Sequence, residues 1–183
     1  LYVSIVMALE ENSEQDFLGE LYHRLQLDKQ SKAQYMTPYD ACELMAKIIG
    51  VKSYREEINN NGFASVNDST CGAGATLIAA ANEIRKAGIN FQDQVLFVGQ
   101  DIDPTAAMMC YIQLSLLGCP GYIIIGDTIS KPGRHPDNKV LYTPFYYLNG
   151  WCFRKWNEEK DCVKSKFFVK KEVQPEFDWD KVS

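Results

Sequence analysis

The sequence predicts an α/β fold in which helices cover a parallel sheet. From Phe63 onward, short apolar runs alternate with longer segments of helical periodicity, which is typical of successive strand–helix units with right-handed crossovers. Three of the apolar runs end in or just before a carboxylate, at Asp68, Asp101 and Asp127. The first run also turns through two glycines into a helical segment. Because ligands of open α/β sheets bind at the carboxyl ends of parallel strands, the same pattern predicts a binding edge.

Helical patterns precede the sheet. Residues 1–9 are apolar but short and run directly into Glu10 and Glu11, so we expect a packing helix there rather than a signal peptide or a membrane span. Apolar residues recur with a period near 3.6 over residues 13–25, which predicts a second helix.

A third helix is predicted over Tyr39–Ile49 and ends at Gly50. We expect its large apolar residues to face inward: Leu44, Met45, Ile48 and Ile49. Together these patterns predict an N-terminal helical segment, residues 1–50, that packs on a unit spanning residues 51–183.

Composition limits the possible functions. The chain has 183 residues, a length typical of one domain with a substantial core, and its 46% hydrophobic content fits a packed globule. The formal charge of −5 makes it a poor DNA clamp by itself, because binding to duplex DNA depends on Lys and Arg contacts to phosphate. The six cysteines include no C-x-x-C pair and the two histidines are isolated, so we expect no metal site. Reduced cysteines also favour a cytoplasmic location.

The segment from Asp68 to Gly74 is the most informative motif. Gly72 and Gly74 can adopt backbone angles that are closed to other residues, and they allow a ligand to approach the main chain. The helix that follows offers free N–H groups and partial positive charge, while Asp68 adds an acceptor for a cationic or hydroxyl-bearing ligand. Asp101, at the end of the next strand, is placed to accept hydrogen bonds from ribose hydroxyls.

Four segments between about Gln15 and Ser130 stand in a recognisable order. Gln34 to Pro38 with Leu44-Met45 is similar to a Q-F-Y-T-P…L-M pattern, and Asp68 to Gly74 is similar to D-P-x-C-G-S-G. Gly99 to Asp101, leading into Met108 to Gly118, is similar to G-Q-E…N-L-x-L-H-G, and Gly126 to Thr128 is similar to G-D-T. These four patterns are typical of the adenine-N6 DNA methyltransferases. The chain resembles in particular the modification subunit of type I restriction systems.

The resemblance implies a Rossmann-like methyltransferase core, in truncated form, that binds S-adenosyl-L-methionine. It implies that the glycine loop cradles the methionine part, Asp101 binds the ribose hydroxyls, Asp127 binds the adenine amino group and Ile102 packs on the adenine ring. The implied cofactor-binding residues are Thr37, Pro38, Asp68, Thr70, Cys71, Gly72, Gly74, Asp101, Ile102 and Asp127.

The same resemblance assigns the catalytic segment to Tyr142, Thr143, Pro144 and Phe145, at the end of a predicted strand over residues 139–141. The family motif there is [ND]-P-P-[FYW]. Pro144 and Phe145 fit its last two positions, whereas Tyr142 replaces the residue whose polar group holds the target amino group, and Thr143 replaces the first proline.

Beyond Gly150 the sequence predicts short β-like runs with charges. Residues 152–171 are rich in lysine and interleaved with aromatic residues such as Trp151 and Phe153, so they form either a contact face for nucleic acid or the solvated side of an edge hairpin. Binding to DNA is expected through a partner or a recognition subunit.

Three interpretations of function remain open. The chain is an active methyltransferase with a variant motif, or a cofactor-binding partner or regulatory module that has lost catalysis, or a protein whose glycine loop only packs. The first two share the cofactor and differ in turnover, whereas the third predicts no affinity for it.

Overall fold

A four-stranded sheet organises the residues that the computed structural model describes, 2–25 and 37–154. Its strands are β1 (Ala64–Asp68), β2 (Val95–Asp101), β3 (Gly121–Ile125) and β4 (Lys139–Tyr142), and they neighbour one another in that order. The helices are α1 (Tyr2–Glu11), α2 (Phe17–Arg24), α3 (Tyr39–Ile49), α4 (Val51–Asn61), α5 (Ala75–Lys86), α6 (Phe91–Gln94), α7 (Pro104–Leu116) and α8 (Pro144–Leu148). A short 3₁₀ turn follows at Trp151–Phe153.

The first three strands confirm the predicted parallel α/β pattern. Strand β1 pairs in parallel with β2, and β2 pairs in parallel with β3. Helix α5 connects the first pair and α7 connects the second, as parallel strands require a crossover. Asp68 and Asp101 are the last residues of their strands, and Asp127 follows the end of β3, so the three carboxylates share one edge of the sheet.

The expectation of a wholly parallel sheet is wrong at β4. This strand is antiparallel to β3, with Tyr142 opposite Tyr122 and Lys139 opposite Ile125. The connecting residues 126–138 contain no helix that could carry the chain back along the sheet, so the chain enters β4 from the edge where β3 ends.

Alternating side chains of the strands fill two cores. On one face, Val95, Phe97 and Ile123 pack with residues of α4, α5 and α7. On the other face, strand residues pack with Tyr146 of α8 and with Trp151. Burial on both faces explains the nearly continuous apolar sequence of β2 and β3.

Helix α3 begins and ends where the sequence predicts, but its orientation is different. Cys42 and Ala46, one turn apart, pack against Ala75 and Ala79 of α5. Because these small residues allow the two helices to approach closely, α3 directs its larger apolar residues outward. Leu44, Met45, Ile48 and Ile49 are all exposed.

The structure also differs from the sequence analysis at three other places. Residues 51–61 form the helix α4, which the sequence pattern did not predict, and Gly62 ends it in the left-handed conformation. The β-like run predicted from Trp151 is a 3₁₀ turn instead. Helix α2 starts only at Phe17, because the Asp16 side chain caps it by accepting from the Gly19 N–H at 2.9 Å.

Candidate cofactor-binding edge

The glycine loop takes its shape from two glycines with positive φ angles. Gly72 has φ 54° and Gly74 has φ 99°, a region that other residues avoid. A Cβ atom on Gly74 would lie 2.8 Å from the Cys110 Sγ atom of α7, so close packing adds a second reason for glycine. The Gly74 N–H donates to the Cys71 carbonyl at 2.8 Å, and the Cys71 N–H donates to the Gln100 carbonyl at 3.0 Å. The loop is therefore seated on the end of β2.

Asp68 stabilises the start of this loop. One carboxylate oxygen accepts from the Thr70 N–H at 3.0 Å, and the other accepts from the Thr76 hydroxyl of α5. The carboxylate thereby ties the end of β1 to the helix after the loop. Thr70 itself is exposed.

The Asp101 carboxylate contacts the glycine loop directly. Its Oδ2 atom accepts from the Gly72 N–H at 2.8 Å, and its Oδ1 atom accepts from the Asp103 N–H at 2.8 Å. A carboxylate offers about four lone-pair positions, so about half of its capacity remains for other donors. The structure thus brings together two residues, Gly72 and Asp101, that the sequence analysis assigned to one site from separate motifs.

Asp127 organises the turn after β3. Its Oδ1 atom accepts from the Ile129 N–H at 2.9 Å and its Oδ2 atom from the Ser130 hydroxyl at 2.8 Å. These hydrogen bonds hold the pKa of Asp127 below its usual range, with the larger effect from the Ile129 N–H and the next from the Ser130 hydroxyl. The adjacent Thr128 hydroxyl donates to the Ser69 carbonyl, which joins this turn to the loop after β1.

Two large apolar side chains are exposed beside these carboxylates. Ile102, which follows Asp101, is 68% exposed, and Ile129, two residues after Asp127, is 94% exposed. Exposed isoleucines next to hydrogen-bonding groups suit a flat, partly apolar ligand. Ile102 was among the predicted cofactor residues, whereas Ile129 was not.

A partly open cavity of about 400 Å³ lies next to Asp68. It is bordered by α3, α4, β1 and α5, and its lining residues include Cys42, Met45, Asp68, Ser69 and Thr76. Its volume lies within the range of small-molecule sites. Burial raises the pKa of the Cys42 thiol to about 11, so this thiol is not a nucleophile at neutral pH.

The predicted Thr37-Pro38 pair lies at the start of α3, which packs on α5. Pro38 is the residue before α3, and both residues are exposed. The preceding residues 34–36 of this motif lie outside the described part of the chain.

The predicted catalytic segment lies at the opposite edge. Because β4 is antiparallel, Tyr142 and Thr143 stand beside the first residues of β3. The fully buried Thr143 hydroxyl accepts from the Gly121 N–H at 3.0 Å and donates to the Cys119 carbonyl at 2.8 Å. The length of β3, roughly 13 Å at 3.3 Å per residue, separates this position from the carboxylate edge.

The neighbours of Thr143 also have structural contacts. The Tyr142 ring packs at 4.7 Å from the ring of Tyr146 and also contacts Tyr122 and Tyr147. Pro144 is the first residue of α8, where a missing N–H has no cost. Phe145, the last of the four, lies beside Gly118. The structure does not bring this segment together with the predicted cofactor residues.

Two buried polar residues support the glycine loop, and the sequence analysis missed both. The fully buried Gln113 of α7 donates to the Ala73 carbonyl at 2.9 Å and to the Asp16 carboxylate at 2.7 Å. The available signals were a single amide within an otherwise apolar helix and an aspartate directly before the apolar start of α2. Burial raises the pKa of Asp16, against the opposing effect of the Gln113 hydrogen bond.

Gln100 has a similar role in the loop after β3. Its buried amide donates to the Gly126 and Lys131 carbonyls at 3.2 and 3.0 Å and accepts from the Gly133 N–H at 2.9 Å. This side chain holds the loop that carries Asp127.

The predicted basic contact face, residues 152–171, falls mostly outside the described residues. Of its aromatic neighbours, Trp151 is buried in the sheet core and is therefore not part of a contact face, whereas Phe153 is exposed. Arg154 lies over the Trp151 ring at 3.8 Å and donates to the Asp93 carbonyl at 2.7 Å.

Within residues 2–25 and 37–154, the acidic, cysteine and histidine side chains form no group of three that could hold a metal ion. In the same ranges, none of the helices has the length and hydropathy that a membrane span requires.

The fold and this edge define a class of protein. Parallel strands end in carboxylates at a glycine-rich loop that leads into a helix, which is the arrangement of Rossmann-like α/β proteins.

Comparison with known proteins identifies the family. The model of the N-6 DNA methylases matches residues 13–180, and the chain belongs to this family. It is 23% identical, over 144 residues, to the type I restriction enzyme MjaIX methylase subunit of Methanocaldococcus jannaschii. That match covers 76% of this chain, which spans only 23% of the relative's length.

A similar solved structure is a type I restriction-modification methyltransferase subunit from Streptococcus thermophilus, with 24% identity and a TM-score of 0.41. The superposition covers 53% of this chain and 19% of that one.

Proposed function

We propose that this chain is the cofactor-binding part of an adenine-N6 DNA methyltransferase. In this proposal S-adenosylmethionine lies across the loops that follow β1, β2 and β3. The bound cofactor supplies a sulfonium methyl group for transfer to the amino group of adenine.

The position of Asp101 carries the proposal. The carboxylate is held by two backbone N–H groups at 2.8 Å, which fixes its orientation while leaving acceptor capacity for two ribose hydroxyls. Ile102 and Ile129 offer exposed apolar surface for the adenine ring beside it. Asp68, at the border of the 400 Å³ cavity, offers a negative charge to the amino group of the methionine part.

We further propose that the chain does not transfer the methyl group by itself. A polar group must hold the target amino group next to the methyl carbon, and Tyr142–Phe145 lies at the other edge of the sheet. The net charge of −5 also disfavours unaided binding to the duplex, from which the target base must be flipped. The acceptor groups and the DNA contacts therefore come from a partner or recognition subunit.

A second candidate function is a regulatory module that binds the cofactor without taking part in methyl transfer. The antiparallel direction of β4 supports this second candidate as well as the first, because it places the predicted catalytic segment away from the proposed cofactor edge. Addition of a DNA-binding methylase partner separates the two candidates, because only the first gives methylated adenine.

Calorimetric titration with S-adenosylmethionine tests the cofactor proposal. Asp101→Asn removes the charge that strengthens the ribose hydrogen bonds, and hydrogen bonds to charged groups contribute on the order of 1.5–3 kcal/mol, so we expect at least about tenfold weaker binding. Asp93→Asn is the matched control, because Asp93 is an exposed aspartate in α6, at the start of β2. Equal affinity of the wild type and Asp101→Asn would exclude the assigned role.

A further inference from the structure

A buried amide connects the glycine loop to the N-terminal segment. Gln113 lies in α7, where its Nε2 atom donates to the Ala73 carbonyl at 2.9 Å and to the Asp16 Oδ1 atom at 2.7 Å. Its Oε1 atom accepts from the Leu18 N–H of α2 at 3.0 Å. The amide is fully buried, and each of its two polar atoms has a partner.

The position of this contact within the loop is important. Ala73 lies between Gly72 and Gly74, the two residues with positive φ angles. Glycines lose more conformational freedom on ordering than any other residue, so the peptide that joins Ala73 to Gly74 depends on hydrogen bonds to hold a single orientation. The Gly74 N–H supplies one through the Cys71 carbonyl, and Gln113 supplies the other through the Ala73 carbonyl.

Helix α7 acts on the loop at two adjacent points. Cys110, one turn before Gln113, packs against Gly74 and leaves no space for a side chain there. Gln113 holds the neighbouring carbonyl. The first contact limits how far the loop can move inward, and the second fixes the orientation of its peptide.

The same amide depends on α2. Asp16 caps α2 through the Gly19 N–H at 2.9 Å and uses the same oxygen to accept from Gln113. If α2 moved away, Gln113 would lose two of its three partners and a buried carboxylate would lose its side-chain donor. The cost of unsatisfied buried polar groups links the position of α2 to the geometry of the loop.

We propose that Gln113 is a positioning residue for S-adenosylmethionine: it holds the glycine loop in its binding conformation and couples the docking of α2 to cofactor affinity. This inference rests on the proposed function. Because coupling is reciprocal, binding of the cofactor also stabilises the docking of α2.

Gln113→Met tests the proposal with a side chain of similar length that lacks the amide. Trp151→Phe is the matched control: the fully buried Trp151 side chain donates through its Nε1 atom to the Gln92 carbonyl at 2.9 Å. It packs in the core on the other face of the sheet, away from both the glycine loop and α2. Thermal unfolding without ligand shows how far each substitution lowers stability.

Calorimetric titration with S-adenosylhomocysteine is the main measurement. We expect at least about tenfold weaker binding for Gln113→Met and less than about twofold change for Trp151→Phe, at comparable losses of stability. Equal affinity of Gln113→Met and the wild type would overturn the positioning role. Failure of the wild type to bind would instead overturn the proposed function, and this inference with it.

Hydrogen–deuterium exchange of the wild type tests the coupling without a substitution. Addition of S-adenosylhomocysteine should slow exchange in the loop, residues 68–76, and also in α2, residues 17–24. Slower exchange in the loop with no change in α2 would overturn the coupling. If Gln113→Met does not fold, the milder Gln113→Asn provides the affinity comparison, with the same expected direction.

Discussion

The two edges of the sheet use similar polar residues for different purposes. At the carboxyl edge, Asp101 and Asp127 hold backbone N–H groups of the loops and keep acceptor capacity for a ligand. At the amino edge, the Thr143 hydroxyl uses both its donor and its acceptor on the backbone around Gly121, inside a buried site. A buried polar residue whose donor and acceptor both have partners stabilises the fold. An accessible residue with unused acceptor positions can bind a ligand.

The direction of one strand produces this difference. Had β4 run parallel to β3, Tyr142 to Phe145 would stand at the carboxyl edge next to the proposed cofactor loops. Its antiparallel pairing places them beside Tyr122 and Gly121 instead. Similarity to a motif therefore indicates a function only when the strand that carries it ends at the correct edge.

Substitution of a glycine at each edge should give the largest contrast. Gly74→Ala introduces a Cβ atom 2.8 Å from the Cys110 Sγ atom at a φ of 99°. We expect this strain to lower the free energy of unfolding by about 1–3 kcal/mol and to weaken the binding of S-adenosylmethionine at least about tenfold. Gly150→Ala, after α8, has a similarly positive φ of 67° but nothing within 4 Å of the added atom.

Thermal unfolding and calorimetric titration of both glycine variants check this prediction. Gly150→Ala should lose some stability from its φ angle alone and retain full affinity. Comparable affinity losses in the two variants would show that the carboxyl edge has no special role in binding.

The amino edge is tested by restoring the family motif there. Tyr142→Asn combined with Thr143→Pro should not create methyl transfer, because the segment stays at the wrong edge. Thr143→Pro removes the N–H that donates to the Gly121 carbonyl at 2.9 Å and the buried hydroxyl, so we expect a loss of about 1–3 kcal/mol in stability.

Transfer of labelled methyl groups to DNA, measured with and without a DNA-binding methylase partner, checks the restored motif. Thr143→Val is the milder control, because it removes only the hydroxyl and should lower stability without changing cofactor affinity. Methyl transfer by the double variant alone would mean that the segment reaches the cofactor, and the contrast between the edges would be lost.

The smallest expected effect is the response of the carboxyl edge to acid. Hydrogen bonds from Ile129 and Ser130 depress the pKa of Asp127, so its contribution to stability is present above the unfolded pKa of about 4 and is lost as the pH falls through its folded value. Lys131 lowers the pKa of Asp137, so the contribution of Asp137 to stability is also lost in acid. The pKa of the buried Asp16 is raised, so its contribution to stability changes with pH in the opposite direction.

Melting temperatures between about pH 3 and pH 6 should therefore fall less steeply for Asp127→Asn than for the wild type. Thr143→Val serves as the comparison at the amino edge and should leave the slope close to that of the wild type, because a threonine hydroxyl does not titrate in this range. An unchanged slope in Asp127→Asn would show that its two hydrogen bonds do not persist in solution.

Local patterns in the sequence predicted the elements of the carboxyl edge. The apolar runs that end in Asp68 and Asp101 are strands, and Gly72 and Gly74 adopt the positive φ angles that their loop requires. These features depend on neighbouring residues only, through strand periodicity and the conformational range of glycine. The order of the motifs also identified the N-6 DNA methylase family, which the family comparison confirmed.

Contacts between distant segments decided the rest. Periodicity shows that α3 is a helix with apolar residues, but the small residues Cys42 and Ala46, packed against Ala75 and Ala79, decide which side faces inward. Likewise, the pattern of residues 139–142 indicates a strand without its direction, which follows from pairing with β3. The support of the glycine loop by Gln113 and Asp16 joins residues 97 positions apart, and only the folded chain places them together. The sequence by itself thus determined the family and the candidate binding motifs, whereas packing and strand pairing determined which edge each motif occupies.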